Sequence, residues 1–134
     1  MNNDNNSFEF ATYHVHKWVK AWNDHDLDAI LSLYADEVEF SSPKIKVILG
    51  ENKNCTITSK TELRKYFSAG LKRFPNLNFN IRDFIVSRNK LVLEYSANLE
   101  EKSILNVIEK FEFEDGLVKK SGAYYGCEEA SHLK

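Results

Sequence analysis

Apolar residues recur at steps of three and four in the first part of the chain and at steps of two in the rest, so the sequence divides into a helical part followed by strands. Phe8, Ala11, Val15, Trp18, Val19 and Trp22 paint one face of an amphipathic helix that should end near Asn23. Asp24 or Asp26 can cap a second, shorter helix, because a carboxylate accepts from the free N–H groups of a first turn; it turns Leu27, Ile30, Leu31 and Tyr34 inward and closes at Ala35-Asp36. Val38 to Pro43 alternates apolar and polar residues and then meets a proline, which reads as a short strand stopped by the loss of a ladder donor. A loop through Gly50 and Asn54 follows. Ser59-Lys60-Thr61-Glu62 matches a capping box and opens a third helix, with Leu63, Tyr66, Phe67, Gly70, Leu71 and Phe74 on one stripe and Pro75 as its stop.

From Leu77 the period changes. Leu77-Phe79-Ile81, Leu91-Leu93-Tyr95-Ala97-Leu99 and Leu105-Val107-Glu109-Phe111-Phe113 each alternate, and a last strand covers Leu117 to Tyr125. Turns are expected at Arg88-Asn89, Glu100-Lys102 and Asp115-Gly116. Helices first and a strand meander afterwards predict an α+β domain, three N-terminal helices packed on an antiparallel sheet. Residues 8–126 are expected to form this domain, with 1–7 a disordered or flexible start and 127–134 a tail. Val92, Ile104, Ile108 and Val118 fall on the face opposite the main apolar register, so a second copy packing sheet against sheet is expected to cover them.

Composition narrows the function classes. A chain of 134 residues with nine Phe, six Tyr and two Trp has ample material for one core or an apolar cavity. Its formal net charge of −2 gives no footing for a polyanion, so nucleic-acid binding is not expected. Cys55 and Cys127 lie far apart without metal-ligand spacing, and His16, His25 and His132 form no ligand pattern, so two reduced thiols and neither metal nor cofactor are expected. The polar, Asn-rich Met1–Ser7 leads into no apolar run and no stretch is long enough to span a bilayer, so the reading places the protein in the cytoplasm, off the membrane.

The segment Trp18 to Phe40, with Ser42-Pro43, the third helix, Val107 to Phe113 and Ala123-Tyr124-Tyr125, resembles the ketosteroid isomerase-like and polyketide cyclase-like (SnoaL-like) branch of the nuclear transport factor 2-like superfamily over nearly the whole chain. The resemblance implies a cystatin-like cone, a curved, mixed sheet wrapped around a long helix with a ligand pocket at the open end, and a homodimer. It also allows each isomerase group to be checked by position. The family's catalytic aspartate precedes a proline, where this chain has Ser42, and a serine cannot take that proton near neutral pH without a base of its own. The oxyanion-hole tyrosine matches Trp18, whose indole N–H donates but is no acid. The second oxyanion donor, an aspartic acid kept neutral by an apolar setting, matches Glu109.

The residues support unusual surroundings for Glu109 independently. It shares a strand face with Leu105, Val107, Phe111 and Phe113, which points its carboxyl into the interior and favours the neutral acid. The alternative is a carboxylate paired with Lys or Arg, or one hydrogen-bonded near the mouth of the cone without chemical work. His14, one helical turn before Trp18, offers a replacement base, although a lone histidine on a helix flank is more often a surface or hydrogen-bonded core residue. Tyr34, Phe67, Tyr95 and Tyr125 take inward registers, the last matching an aromatic pocket position of the family, and with Trp18 and Ser42 they complete a candidate site for a small apolar or aromatic ligand. Isomerase, hydratase and cyclase chemistry all fit such a site, as does a dimeric binding or interaction module without catalysis.

Overall fold

The computed structural model describes the backbone of residues 3–50, 54–100 and 103–130, and the side chains of 7–50, 54–100 and 103–126. Among these residues four helices and six strands follow in order: α1 (Asn3–Asn23), α2 (Leu27–Leu31), β1 (Tyr34–Ser41), α3 (Lys44–Leu49), β2 (Thr56–Ile57), α4 (Lys60–Arg73), β3 (Asn78–Ser87), β4 (Lys90–Glu100), β5 (Ser103–Glu114) and β6 (Leu117–Ala130). They form the predicted α+β domain, with one mixed sheet in the order β2-β1-β6-β5-β4-β3. All neighbours are antiparallel except β1 and β6, which pair in parallel. No helix among the described residues is long and apolar enough to cross a membrane.

The cap signals in the sequence are realised. Asp26, rather than Asp24, accepts from Ala29 N–H at the start of α2, and Ser59 accepts from Glu62 N–H at the start of α4. Asp115 and Gly116 both take positive φ, the conformation of a tight β5–β6 hairpin, and Arg88 does so in the β3–β4 turn. The turn expected at Glu100-Lys102 lies partly outside the described residues. At the end of α1 the Asn23 amide clasps β3, donating to Phe79 O at 3.0 Å and accepting from Phe79 N–H at 2.7 Å, which fixes the helix across the sheet.

Several boundaries move. α1 begins at Asn3, and β6 runs on to Ala130. Phe8, read as part of the buried stripe, is 54% exposed with its ring on Phe84. Tyr34 opens β1 instead of closing α2, and Ala35-Asp36 lie in that strand. The expected loop contains α3: Pro43 already takes a helical φ, and Ser42 Oγ accepts from Lys44 N–H, so the proline that stops β1 also starts a helix. Val118 is fully buried rather than outward. The cause is a register shift between Glu112 and Phe113 in the β5–β6 ladder, which inverts the alternation of β6 on either side of it. Cys55 carries a free, exposed thiol, and the side chain of Cys127 lies outside the described residues.

Candidate functional site

The concave side of the sheet and α1, α3 and α4 enclose an aromatic cavity. Its wall includes Trp18 and Trp22 from α1, Lys44 and Ile48 from α3, Tyr66 and Phe67 from α4, and Tyr95, Glu109 and Tyr125 from the sheet. Its volume is about 70 Å³. At roughly 10–15 Å³ for each water-sized group this holds about five such groups, far below the roughly 300 Å³ of a drug-sized site. A second cleft of about 110 Å³ adjoins it at the open end and shares Lys44, Ile48, Phe74 and Leu99 with it.

Glu109 is the acid of this cavity. It lies mid-strand in β5, opposite Leu93 of β4 and Ala123 of β6, and is only 3% exposed. Its carboxylate oxygens reach the diagonal neighbours on both flanking strands: Tyr95 OH donates to Oε1 at 2.8 Å and Ser121 Oγ donates to Oε2 at 3.3 Å. No Lys or Arg among the described residues pairs with it, so the alternative of a buried ion pair is not what the fold builds. Burial pushes the carboxyl up to about 7, while the two hydroxyl donors pull in the opposite direction. Tyr95 is held well above the ordinary phenol range, first by burial and then by the negative charge of Glu109.

The other candidates divide into those on the cavity wall and those behind it. Trp18, Phe67, Tyr95 and Tyr125 line the cavity with Glu109. Tyr34 lies behind Trp18 and receives its indole N–H at 2.9 Å, so that donor is already engaged within the protein. Ser42 is buried beside the cavity: its Oγ accepts from Tyr66 OH at 3.4 Å and from Lys44 N–H at 3.2 Å, and it borders an outer cleft with Pro43 and Tyr124. A hydroxyl held by two donors and no base is a fastening, not a proton acceptor. His14 is 3% exposed in a nest of Phe10, Phe111 and Phe113, with ring centroids at 6.4, 5.0 and 4.8 Å, and it is absent from the cavity wall. Phe111 packs against both His14 and Trp18 and takes the place on the Trp18 side that helical spacing alone offers to His14. Burial lowers the His14 ring to about 4, and its Nε2 has no partner among the described residues.

Among the wall residues that are not candidates from the sequence, Tyr66, Trp22 and Lys44 carry polar side-chain atoms. Tyr66 appears there only as one position of an apolar stripe, Trp22 as another, and Lys44 within a loop. Only the aromatic content of the α1 and α4 stripes hints at the first two.

A long helix lying in a curved six-stranded sheet, with one buried acid facing the hollow, defines a nuclear transport factor 2-like cone. Within that fold the chain belongs to the SnoaL-like domain family, whose model matches residues 15–121. It is similar to a SnoaL-like protein of unknown function from Burkholderia thailandensis E264, at 33% identity and a TM-score of 0.79 over 89% of this chain and 96% of that one. Two more distant structures share the fold. One is a candidate ketosteroid isomerase from Kribbella flavida DSM 17836, at 14% identity and a TM-score of 0.70 over 89% of this chain and 79% of that one. The other is TerC co-crystallised with polyporic acid, at 15% identity and a TM-score of 0.74 over 87% of this chain and 92% of that one. No curated protein matches the chain in sequence.

Proposed function

We propose that the protein binds a small, largely apolar metabolite in the cone and that Glu109 exchanges a proton or a hydrogen bond with it. The observation that carries this reading is a wholly buried carboxyl on the cavity wall, poised near 7 and oriented by Tyr95 and Ser121. A carboxyl raised to about 7 has both protonation states within reach near neutral pH, so it can give a proton to a bound oxygen or remove one beside a carbonyl with little driving-force penalty. Isomerase, hydratase and cyclase steps all draw on such a group. The steroid isomerase arrangement is not proposed, since the Trp18 N–H serves Tyr34 and Ser42 lacks a base. The co-crystallised acid of TerC supports the view that a fold of this kind accommodates a ligand.

Native mass spectrometry of the protein purified from its own host is expected to reveal a retained metabolite. Glu109→Gln keeps shape and volume while removing the transferable proton. It should leave the fold intact, as read by circular dichroism, and abolish turnover of that metabolite. Unchanged turnover by Glu109→Gln would remove the proton-transfer role.

A second reading, a homodimer through the outer face of the sheet, rests on a separate observation. Ile108 and Tyr124 face each other across the β5–β6 ladder on that side and are 39% and 63% exposed, with Ile85 further along the sheet. Light scattering after size exclusion should give twice the chain mass for the wild type and a monomer for Ile108→Lys; a monomeric wild type at micromolar concentration sinks this reading.

A further inference from the structure

The ligand class can be narrowed from the donors that the cavity leaves unmet. Lys44, the first residue of α3, lines both the aromatic cavity and the adjoining cleft, so it stands where the two join. It is half-buried, its Nζ lies 5.3 Å from the centroid of Tyr125, and it forms no ion pair among the described residues. A partly desolvated ammonium resting on a ring face is a strong attractor for an anion. Trp22, on the same cavity wall, has a buried indole N–H with no partner among the described residues. An orphaned buried donor costs about 1–3 kcal/mol, a cost that an acceptor on a ligand removes. Tyr95 and Ser121, by contrast, already spend their donors on Glu109.

Size fixes the rest. The inner cavity of about 70 Å³ is under half the roughly 150 Å³ of an apolar cavity that holds benzene, so a short branched chain fits it alone and a flat ring occupies it only together with part of the adjoining cleft of about 110 Å³. A polar group attached to that ring through a short stem reaches the outer cleft, where Arg73 adds a second cation and Glu100 an opposing charge.

We propose that the cavity takes a small aromatic or branched aliphatic carboxylic acid, ring or branch inward, with its carboxylate held at the mouth by Lys44. This rests on the cavity being a ligand site, as in the preceding section, and adds the charge and size of the occupant. An anion at the mouth also orients the ligand, because only its far end can then approach Glu109.

Both tryptophans of the protein line the cavity, so their fluorescence reports occupancy directly. Phenylacetate and phenylacetamide, equal in shape and different in charge, are the probes. Phenylacetate should quench saturably with a Kd at least about tenfold below that of phenylacetamide, a difference of about 1.4 kcal/mol. Lys44→Met should erase the preference and Lys44→Arg should retain it, with melting points checked to confirm that both variants fold. Equal affinity of the two probes for the wild type overturns the carboxylate proposal and leaves the cavity reading standing. A preference that survives in Lys44→Met overturns the role of Lys44. Failure of both probes to bind saturably at millimolar concentration overturns the proposal, and the cavity reading falls with it only if native mass spectrometry also finds no retained metabolite.

Discussion

Glu109→Gln is expected to stabilise the protein progressively as pH rises from 4.5 to about 7, by about 3 kcal/mol relative to the wild type across that window. Folded Glu109 holds its proton up to about 7, whereas the unfolded carboxyl releases it near 4.5, so in between the folded chain binds more protons and wild-type stability falls with pH. His14 acts in the opposite sense. Its folded ring protonates only near 4 and its unfolded ring near 6.5, so the stability it contributes is complete above 6.5 and drains away as pH falls towards 4. The two slopes nearly cancel between 4.5 and 6.5, and each single variant exposes the other. His14→Phe should therefore gain about 3 kcal/mol on the wild type as pH falls through the same region, offset by a constant packing contribution. Urea unfolding in a pH series reads both differences; curves for Glu109→Gln and wild type that stay parallel would show that the carboxyl is not held in its neutral form.

Trp18→Ala should cost about 3–5 kcal/mol, which is a large part of the stability of a domain this size. Trp18 stacks on Phe79, meets Trp22, Tyr95 and Phe111 at centroid distances of 5.3–6.1 Å, and supplies the hydrogen bond to the buried Tyr34 hydroxyl. Trp18→Phe keeps most of the ring contacts and removes the N–H, so it should cost less, about 1–3 kcal/mol for the unpaired hydroxyl together with a small void. Denaturant midpoints rank the three proteins. If Trp18→Phe proves as damaging as Trp18→Ala, the hydrogen bond rather than the packing dominates, contrary to expectation.

The inward placement of Glu109 was legible because strand alternation is rigid: four apolar neighbours at even spacing leave the carboxyl one direction to point. Its partners were not. Tyr95 and Ser121 reach it only through diagonal positions of two ladders, and those registers depend on hairpin turns that fix which residues face each other. Helices α1 and α4 announced themselves by stripes and caps, whereas α3 spans six residues of a Lys-Ile-Lys-Val-Ile-Leu run that alternates like a strand and is rich in β-branched side chains. That short helix delivers Lys44, so the charge at the mouth was hidden with it. His14 illustrates the converse: its spacing from Trp18 is plain in the sequence, but helical spacing cannot reveal that Phe111 from β5 packs against both rings. Val118 points inward against strand parity because one register shift reverses the alternation beyond it.

The parallel pairing of β1 with β6 also sets an order of events during synthesis. β1 leaves the ribosome early, yet its ladder neighbour, Val118 to Gly122, is translated only after every other strand that flanks the hollow. Until then β1 is paired only through the two residues of β2, and its Phe40 lacks its ladder partner Ser121, an interval in which chaperone capture or self-association competes with closure.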